Sequence, residues 1–470
     1  MHSIFNKISI ANIMAKGIIG QRDLTKGNVF KNLFLFALPF FLAYLLNSLY
    51  SAIDLIFIGN FSDTSNVAAV SSGTTVIFAV NSILMGLATG GTIIIGQYFG
   101  AKYKEGISAS IRNTIIFMSV IGIITWVLMM ALSFPIIEWM QVDYTAKEIA
   151  QKYLLILSSG IIFYIGYITI AAILRGIGNS FAGFVFAGIA AISNIGFDYL
   201  FVKVFDLGAI GAAIATVLGE VVALIGAIIY IIIRKIPYKV KLKEGLSPKY
   251  LGPIVKTGLP IALQDGLVVI SFAIVIAALS TRGEIYTASV GVTDRITSFG
   301  FVPLSAIGNA ISTATAQNMG AKDIGRVKKY MRAGIIYACV AALILGGLCI
   351  FIPRQLATIF AAHDEATINL TVYYLQATAL DIFVCGFIFP LNSVFIGSGH
   401  TVFAMSQNLG TTFLVRVPFA LITCLLINAP MYVVGLCYPI SSIVSLSLCI
   451  FFYFSNKWTK INKLEGEKDV

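Results

Sequence analysis

Residues Leu38–Gly59 read LPFFLAYLLNSLYSAIDLIFIG. The run is apolar, with a proline near its start (Pro39) and a single carboxylate near its end (Asp54). Joined to the apolar residues before it, it is long enough to cross the roughly 30 Å hydrocarbon core of a bilayer as a helix. A carboxylate at the bilayer centre costs about 2.5–3.5 kcal/mol on insertion, so one kept there faces a protein interior or a wet cavity. Asp54 therefore reads as a cation-binding carboxylate, and Pro39 as a hinge in its helix. The rest of the chain has to supply the partners.

The composition fits that reading. Of 470 residues, 58% are hydrophobic and only 11% charged, against roughly 25% charged in soluble domains. A mean hydropathy of +0.92 points to an integral membrane protein with many spans. Period-two alternation is absent, which argues against a β-barrel. The net charge of +11 sits in short loops between apolar runs, so it reads as membrane orientation and not as nucleic-acid binding. Six cysteines (Cys339, Cys349, Cys385, Cys424, Cys437, Cys449) lie in apolar runs without CxxC spacing. They read as small buried hydrophobes, with no disulfide framework or zinc site. The N-terminal residues lack the pattern of a cleaved signal peptide.

Twelve spans are expected, at roughly 30–58, 67–99, 108–134, 148–174, 180–204, 208–234, 251–281, 286–316, 328–352, 367–396, 401–427 and 432–455. With the N-terminus inside, 25 Lys and Arg fall on inner segments and 5 on outer ones. This asymmetry predicts a multi-pass protein of the plasma (inner) membrane with both termini cytoplasmic. The expected organisation is an N-terminal segment (1–28), a six-helix lobe (29–234), a basic linker (235–250), a second six-helix lobe (251–456) and a tail (457–470).

The two halves repeat. Ala-Leu-Pro at 37–39 matches Gly-Leu-Pro at 258–260, 221 residues later. GQYFGAKYKEGISASIRNTI (96–115) matches AQNMGAKDIGRVKKYMRAGI (316–335) with six identities in twenty. LRGIGNS (174–180) matches FIGSGHT (395–401). A parallel duplication of this kind gives a pseudo-twofold axis along the membrane normal, with substrate between the halves. The repeat keeps the proline at Pro260 but has Val275 where Asp54 would be, so ion binding is expected mainly in the first half.

Asn194 and Asp198 are four apart, on one face of the fifth span. Both Asp54 and Asp198 fall in the outer halves of their spans, so the two carboxylates can converge on one proton or Na⁺ site. Asp265, Asp381 and Glu220 are further intramembrane acids, read as second acidic sites or as structural pairs. Asp294 and Arg295 are adjacent and need not pair. Arg416, just before Pro418, reads as structural, bonding freed carbonyls or a carboxylate.

The ordered motifs resemble the multidrug and toxic compound extrusion (MATE) family. They are Pro39 with Asp54 and Gly59, then Gly96-Gln97-x-x-Gly100-Ala101, Leu174 to Asn179, Asn194-x-x-x-Asp198 and Gly211 to Thr216. The resemblance covers about 30–455. It implies an all-α MATE/MOP-type fold of twelve transmembrane helices in two pseudo-symmetric six-helix bundles. In the DinF-like branch it implies a cation site formed by Asp54, Asn194, Asp198, Thr216 and Tyr153, with Na⁺ an option at the first four. The acid that the NorM-like branch carries eight residues after the seventh-span proline is Val268 here.

The function expected is secondary active efflux of amphipathic, cationic compounds in antiport with H⁺ or Na⁺, by alternating access and without a cofactor. The partners expected are small molecules and the lipid bilayer, with no nucleic acid, and a monomer suffices. The alternative within the same fold is a lipid-linked oligosaccharide flippase or a metabolite exporter. A flippase would line its cleft with several cations, whereas only Arg295 and Arg416 lie within spans. No phosphate loop, nucleophile–base pair or metal cluster marks an enzyme.

Overall fold

The computed structural model describes residues 21–234, 238, 240–361 and 364–460, with backbone alone at 50–56, 60 and 61. The described chain is helical almost throughout. Twelve long helices follow in order: α1 Val29–Phe61, α2 Thr64–Gly100, α3 Lys104–Trp139, α4 Tyr144–Gly176, α5 Phe181–Val204, α6 Gly208–Arg234, α7 Pro248–Ser280, α8 Glu284–Gly320, α9 Ile324–Phe351, α10 Glu365–Gly397, α11 Thr401–Leu426 and α12 Met431–Phe454. A short helix, Pro353–Phe360, joins α9 to α10. Eleven of the long helices are apolar enough to span a membrane. The remaining one, α8, has the length, 37 residues, which at 1.5 Å each is about 55 Å. Many of its polar side chains point inward, with Thr293, Ser312, Thr313, Thr315, Gln317 and Asn318 all buried, whereas Arg295 and Ser298 are exposed. The expected all-α membrane protein of twelve helices is thus what the chain forms.

Contacts divide the chain into two units. The first takes Leu38–Ala262 and the described residues before Leu24; the second takes Leu24–Ala37 and the described residues from Leu263 onward. The start of α1 therefore belongs to the second unit, and the start of α7 to the first. The changeovers fall beside Pro39 and just after Pro260.

In the first unit α4 packs on α2, α3 and α6, and α5 pairs with α6. The core includes Met118, Leu154, Ile161, Ile165 and Ile168. The opening turns of α7 lie on α2 with backbone against backbone: a Cβ on Gly90 would stand 2.5 Å from the Ile254 carbonyl oxygen. The linker is held on α3, where Arg112 pairs with Glu244 and Asn113 Oδ1 accepts from the Ser247 N–H at 2.8 Å.

In the second unit α10 packs on α8, α9 and α12. Leu24 is fully buried there. Its carbonyl accepts from Tyr330 Oη (2.9 Å), Arg326 Nε (3.0 Å) and Asn318 Nδ2 (3.3 Å), and its N–H donates to Gln317 Oε1 (3.0 Å).

The sequence repeat is realised atom by atom at the helix ends. After α4, Gly178 takes φ +91° and Asn179 N–H closes on Leu174 O at 2.8 Å. After α10, Gly399 takes φ +86° and His400 N–H closes on Phe395 O at 2.8 Å. Lys102 and Lys322 end α2 and α8 at φ +56° and +59°, a conformation that favours glycine. Asp206 and Asn428 follow α5 and α11 at φ +53° and +51°. These pairs stand 221, 220 and 222 residues apart. The register thus gains one residue between Gly399 and Asn428. Both α5 and α11 end in a π-helical turn, Tyr199–Val204 and Ile422–Leu426, but α11 holds another inside it, Thr412–Arg416. A π turn closes five residues on instead of four and so accommodates one extra residue.

Candidate functional site

The sequence-derived residues of the first unit lie on four helices. Asn194 and Asp198 occupy the last α-helical turn of α5, and the π turn begins at the next residue. Both are buried, at 2% and 0% exposure. Asn194 Nδ2 donates to Thr216 Oγ1 on α6 at 3.3 Å, and Thr216 Oγ1 donates to the Ala212 carbonyl at 3.1 Å. With Nδ2 engaged in this way, Asn194 Oδ1 is left without a donor among the described residues. A buried amide oxygen without a donor is a hard acceptor suited to an alkali cation, which prefers oxygen ligands. The helices approach closely because Gly219 faces α5: a Cβ there would stand 3.0 Å from Ala190 O and 3.2 Å from Asn194 Cβ.

Tyr153 on α4 is 3% exposed, and its hydroxyl meets Thr74 Oγ1 of α2 at 3.2 Å. Its ring shares an apolar cluster with Ile58 of α1, Val202 of α5 and Ala212 of α6. Ile58 lies one turn after Asp54 along α1. Asp54 is helical there, but its side chain lies outside the described residues. Pro39 is inside α1.

Glu220 is one turn beyond Thr216 on α6. Gly160 of α4 makes room for it, since a Cβ there would lie 2.6 Å from Glu220 Oε2. Glu220 acts electrostatically on Tyr164 and Tyr167, whose rings meet edge to face at 5.4 Å. These two tyrosines were not legible as part of a site. Their α4 positions, one and two turns after Gly160, are the only sequence signal they carry.

In the second unit, Asp265 is half-buried on α7, and no described side chain hydrogen-bonds to it. Asp381 on α10 is 5% exposed. It accepts from Cys385 Sγ at 3.6 Å and also meets Ser442 of α12. Arg416 ends the internal π turn of α11. Its Nε donates to Ser441 Oγ of α12 at 3.3 Å, and its guanidinium lies over the rings of Tyr438 (5.0 Å) and Phe272 (5.6 Å). Its hydrogen-bond partner is thus a hydroxyl, with two rings beside it, and of the freed carbonyls or carboxylate expected, the Asp381 carboxylate interacts with it through charge. Val275, Tyr374, Ala420 and Tyr438 pack together in one apolar cluster. No group of three His, Cys, Asp or Glu able to hold a metal occurs among the described residues, and the six cysteines are free thiols.

A chain of twelve long helices with buried polar sets inside them is a multi-pass membrane protein, and its family makes it a transporter and not an enzyme. It belongs to the MatE family, whose family model matches residues 39–200 and 260–422. Similar relatives include the probable multidrug resistance proteins YoeA and YpnP of Bacillus subtilis, each 26% identical. They cover 93% and 95% of this chain and 96% and 99% of their own. The probable multidrug resistance protein NorM of Thermotoga maritima is 25% identical over 93% of this chain and 95% of its own. Among solved structures, a MOP superfamily transporter from Pyrococcus furiosus superposes with a TM-score of 0.88 at 21% identity, covering 95% and 99% of the two chains. An outward-facing multidrug resistance MATE transporter gives 0.86 at 21% identity, covering 94% and 99%. These superpositions establish the fold.

Proposed function

We propose that the chain exports amphipathic, cationic compounds across the plasma membrane in exchange for H⁺ or Na⁺, and that the cation binds at Asp198, Asn194 and Thr216 together with Asp54 and Tyr153. The observation that carries this reading is the part-buried Asn194–Thr216 contact, with Asn194 Oδ1 left available beside the buried Asp198. The relatives' names add multidrug resistance.

The repeat supplies independent support. At the offsets fixed by the helix ends, Asp54, Tyr153, Asp198 and Thr216 correspond to Val275, Tyr374, Ala420 and Tyr438. Those four residues pack into one cluster in the second unit. Their first-unit counterparts are therefore expected to converge as well.

The coupling follows from electrostatics. Two carboxylates enclosed in a low-dielectric lobe repel each other, and a proton or Na⁺ relieves that repulsion. The ion is expected to hold the lobe in one packing and to leave it, inward, in another. Pro39 would let α1 bend between the two, and alternating access would expose the substrate to one side at a time. Both termini are expected on the cytoplasmic side, and one copy of the chain is expected to suffice.

The test is efflux of a cationic dye from proteoliposomes under separately imposed pH and Na⁺ gradients. One of the two gradients should drive efflux in the wild type, and Asp198→Asn should abolish that drive. Undiminished gradient-driven efflux by Asp198→Asn would overturn the assignment.

A further inference from the structure

From Arg234 to Tyr250 the connection between α6 and α7 carries six basic residues and one acid. Its described part is a folded strap on the first unit. Tyr238 and Val240 pack on the apolar cluster that holds Tyr98, Ile107 and Ile111. Glu244 pairs with Arg112 of α3, and the Ser247 N–H donates to Asn113 Oδ1 at 2.8 Å. Two leucines are left outside this packing: Leu242 is 52% exposed and Leu246 44%. Lys241 and Lys243, both exposed, stand on either side of Leu242.

The seat of the strap on α3 says what these leucines meet. Arg112 shares one stripe of α3 with Ile116, Ser119, Ile123 and Val127. Further along, that stripe is open, with Ile123 and Val127 each 51% exposed, as suits a lipid-facing side. At Arg112 it is buried under the strap. The 36 residues of α3 make about 54 Å of helix, against a hydrocarbon core of about 30 Å. A centred α3 extends about 12 Å beyond the core at each end, and Arg112 lies eight residues, again about 12 Å, from its start. The strap therefore crosses the lipid-facing side of α3 where headgroups meet acyl chains. Glu244 also accepts from Lys241 Nζ at 3.0 Å, so the one acid is shared by two cations, and Lys243 pairs with no described acid.

We propose that the strap binds anionic phospholipid of the inner leaflet, with Lys241 and Lys243 on the headgroup and Leu242 and Leu246 against the acyl chains. The charge asymmetry of the loops assigns the linker to the inner side, where the leaflet is negatively charged and attracts basic segments. Exposed leucines among lysines at this depth give the apolar and electrostatic halves of an interfacial site. Because Ser247 is tied to α3 and leads directly into α7, the lipid would brace the start of α7. The inference goes beyond the export reading and does not depend on it.

The test places a fluorescent probe in the strap with Leu242→Trp. The full chain is reconstituted in phosphatidylcholine bilayers holding a rising share of brominated lipid, either phosphatidylglycerol or phosphatidylcholine. The reading is the quenching that Leu242→Trp adds to the wild-type signal. Brominated phosphatidylglycerol should reach half-maximal quenching at a share about 5- to 30-fold lower than brominated phosphatidylcholine, as expected for two lysines at a charged surface. About 1 M salt should shrink that preference. Adding Lys241→Gln and Lys243→Gln should bring the two lipids within about twofold, whereas Lys241→Arg and Lys243→Arg should keep them apart. Quenching by brominated phosphatidylcholine in the glutamine variant shows that the strap is still in place. Equal quenching by the two lipids, a preference unchanged by the glutamines, or no added quenching by either would overturn the proposal. Displacement of the lipid by soluble glycerol phosphate would also overturn it, by making the site one for a free phosphate. None of these readings involves efflux, so the export reading is tested separately.

Discussion

Replacing Gly219 by alanine perturbs the first-unit site without removing a single candidate ligand atom. The new Cβ would stand 3.0 Å from Ala190 O and 3.2 Å from Asn194 Cβ. Ordinary contact begins near 3.4 Å, so α5 must retreat from α6 by a few tenths of an ångström. The Asn194–Thr216 hydrogen bond already spans 3.3 Å. The same retreat takes it beyond the 3.5 Å at which such a bond has little value. Losing it costs about 0.5–1.5 kcal/mol. The helix itself gains about 0.5–1 kcal/mol when glycine becomes alanine, so overall stability should hardly change.

If Asn194 and Thr216 hold the coupling ion, its affinity should fall about 2- to 10-fold, in proportion to that lost bond. Gly196→Ala is the control, since no atom of the described residues, its own helix turn aside, lies within 4 Å of a Cβ there. It should show the helix gain with unchanged ion affinity. The assay is the rise in thermal midpoint on titrating Na⁺ or lowering pH, compared with efflux under the same gradient. If Gly219→Ala shows the same ion response as Gly196→Ala, the Asn194–Thr216 contact is not part of the ion site.

Three further predictions concern the frame. Lys102→Gly should raise the thermal midpoint, because it relieves a left-handed lysine at φ +56°, by the equivalent of about 1 kcal/mol; a lower midpoint would refute the assigned helix-end conformation. Gly90→Ala should destabilise by about 1–3 kcal/mol, because its Cβ would lie 2.5–2.7 Å from backbone atoms of Ile254 and Gly258 that cannot rotate away; detergent-solubilised protein with a wild-type midpoint would show that α7 does not press on α2. Burial lowers the His400 pKa below its ordinary 6.5, so the unfolded chain binds that proton more readily and stability is lost as pH falls through 6.5. The midpoint of the wild type should therefore drop more between about pH 7.5 and about pH 5.5 than that of His400→Gln, and equal drops would remove His400 from the account.

The twelve helices were legible because each apolar run is long and bounded by short connections that carry basic, acidic, glycine, asparagine or proline residues. Even α8, the most polar of them, was counted as a span, and the buried hydroxyls and amides on its inner face explain how it tolerates that polarity. Asn194 and Thr216 were legible through the motif they share with the family, and they meet. The π turns were not legible. Nothing in TFLVR marks a five-residue closure; it emerges only when the helix ends of the two halves are compared. Without that turn the register of Arg416 is off by one, and its correspondence with Asn194 is hidden. The room that Gly160 gives Glu220 was equally hidden, because the residue that matters there is the one without a side chain.

The same comparison explains why a duplicated frame need not bind ions twice. Asp54, Asp198 and Glu220 of the first half correspond to Val275, Ala420 and Ser442 of the second, while Gly160 corresponds to Asp381 and Asn194 to Arg416. The first set thus carries three acids and no fixed cation. The second carries Asp381, moved from the sixth helix of the repeat to the fourth, Asp294 on α8, which acts on Tyr374 and Tyr438, and one guanidinium. An unoccupied first set holds like charges in a low dielectric and gains most from a captured proton or Na⁺. The second set already has a cation covalently attached, Arg416, and so gains less from another. Substitutions that neutralise first-half acids should therefore change ion dependence, whereas Asp381→Asn should leave it intact. Dye efflux by Asp381→Asn under separately imposed pH and Na⁺ gradients reads this directly, and an altered ion requirement in that variant would refute the division of labour.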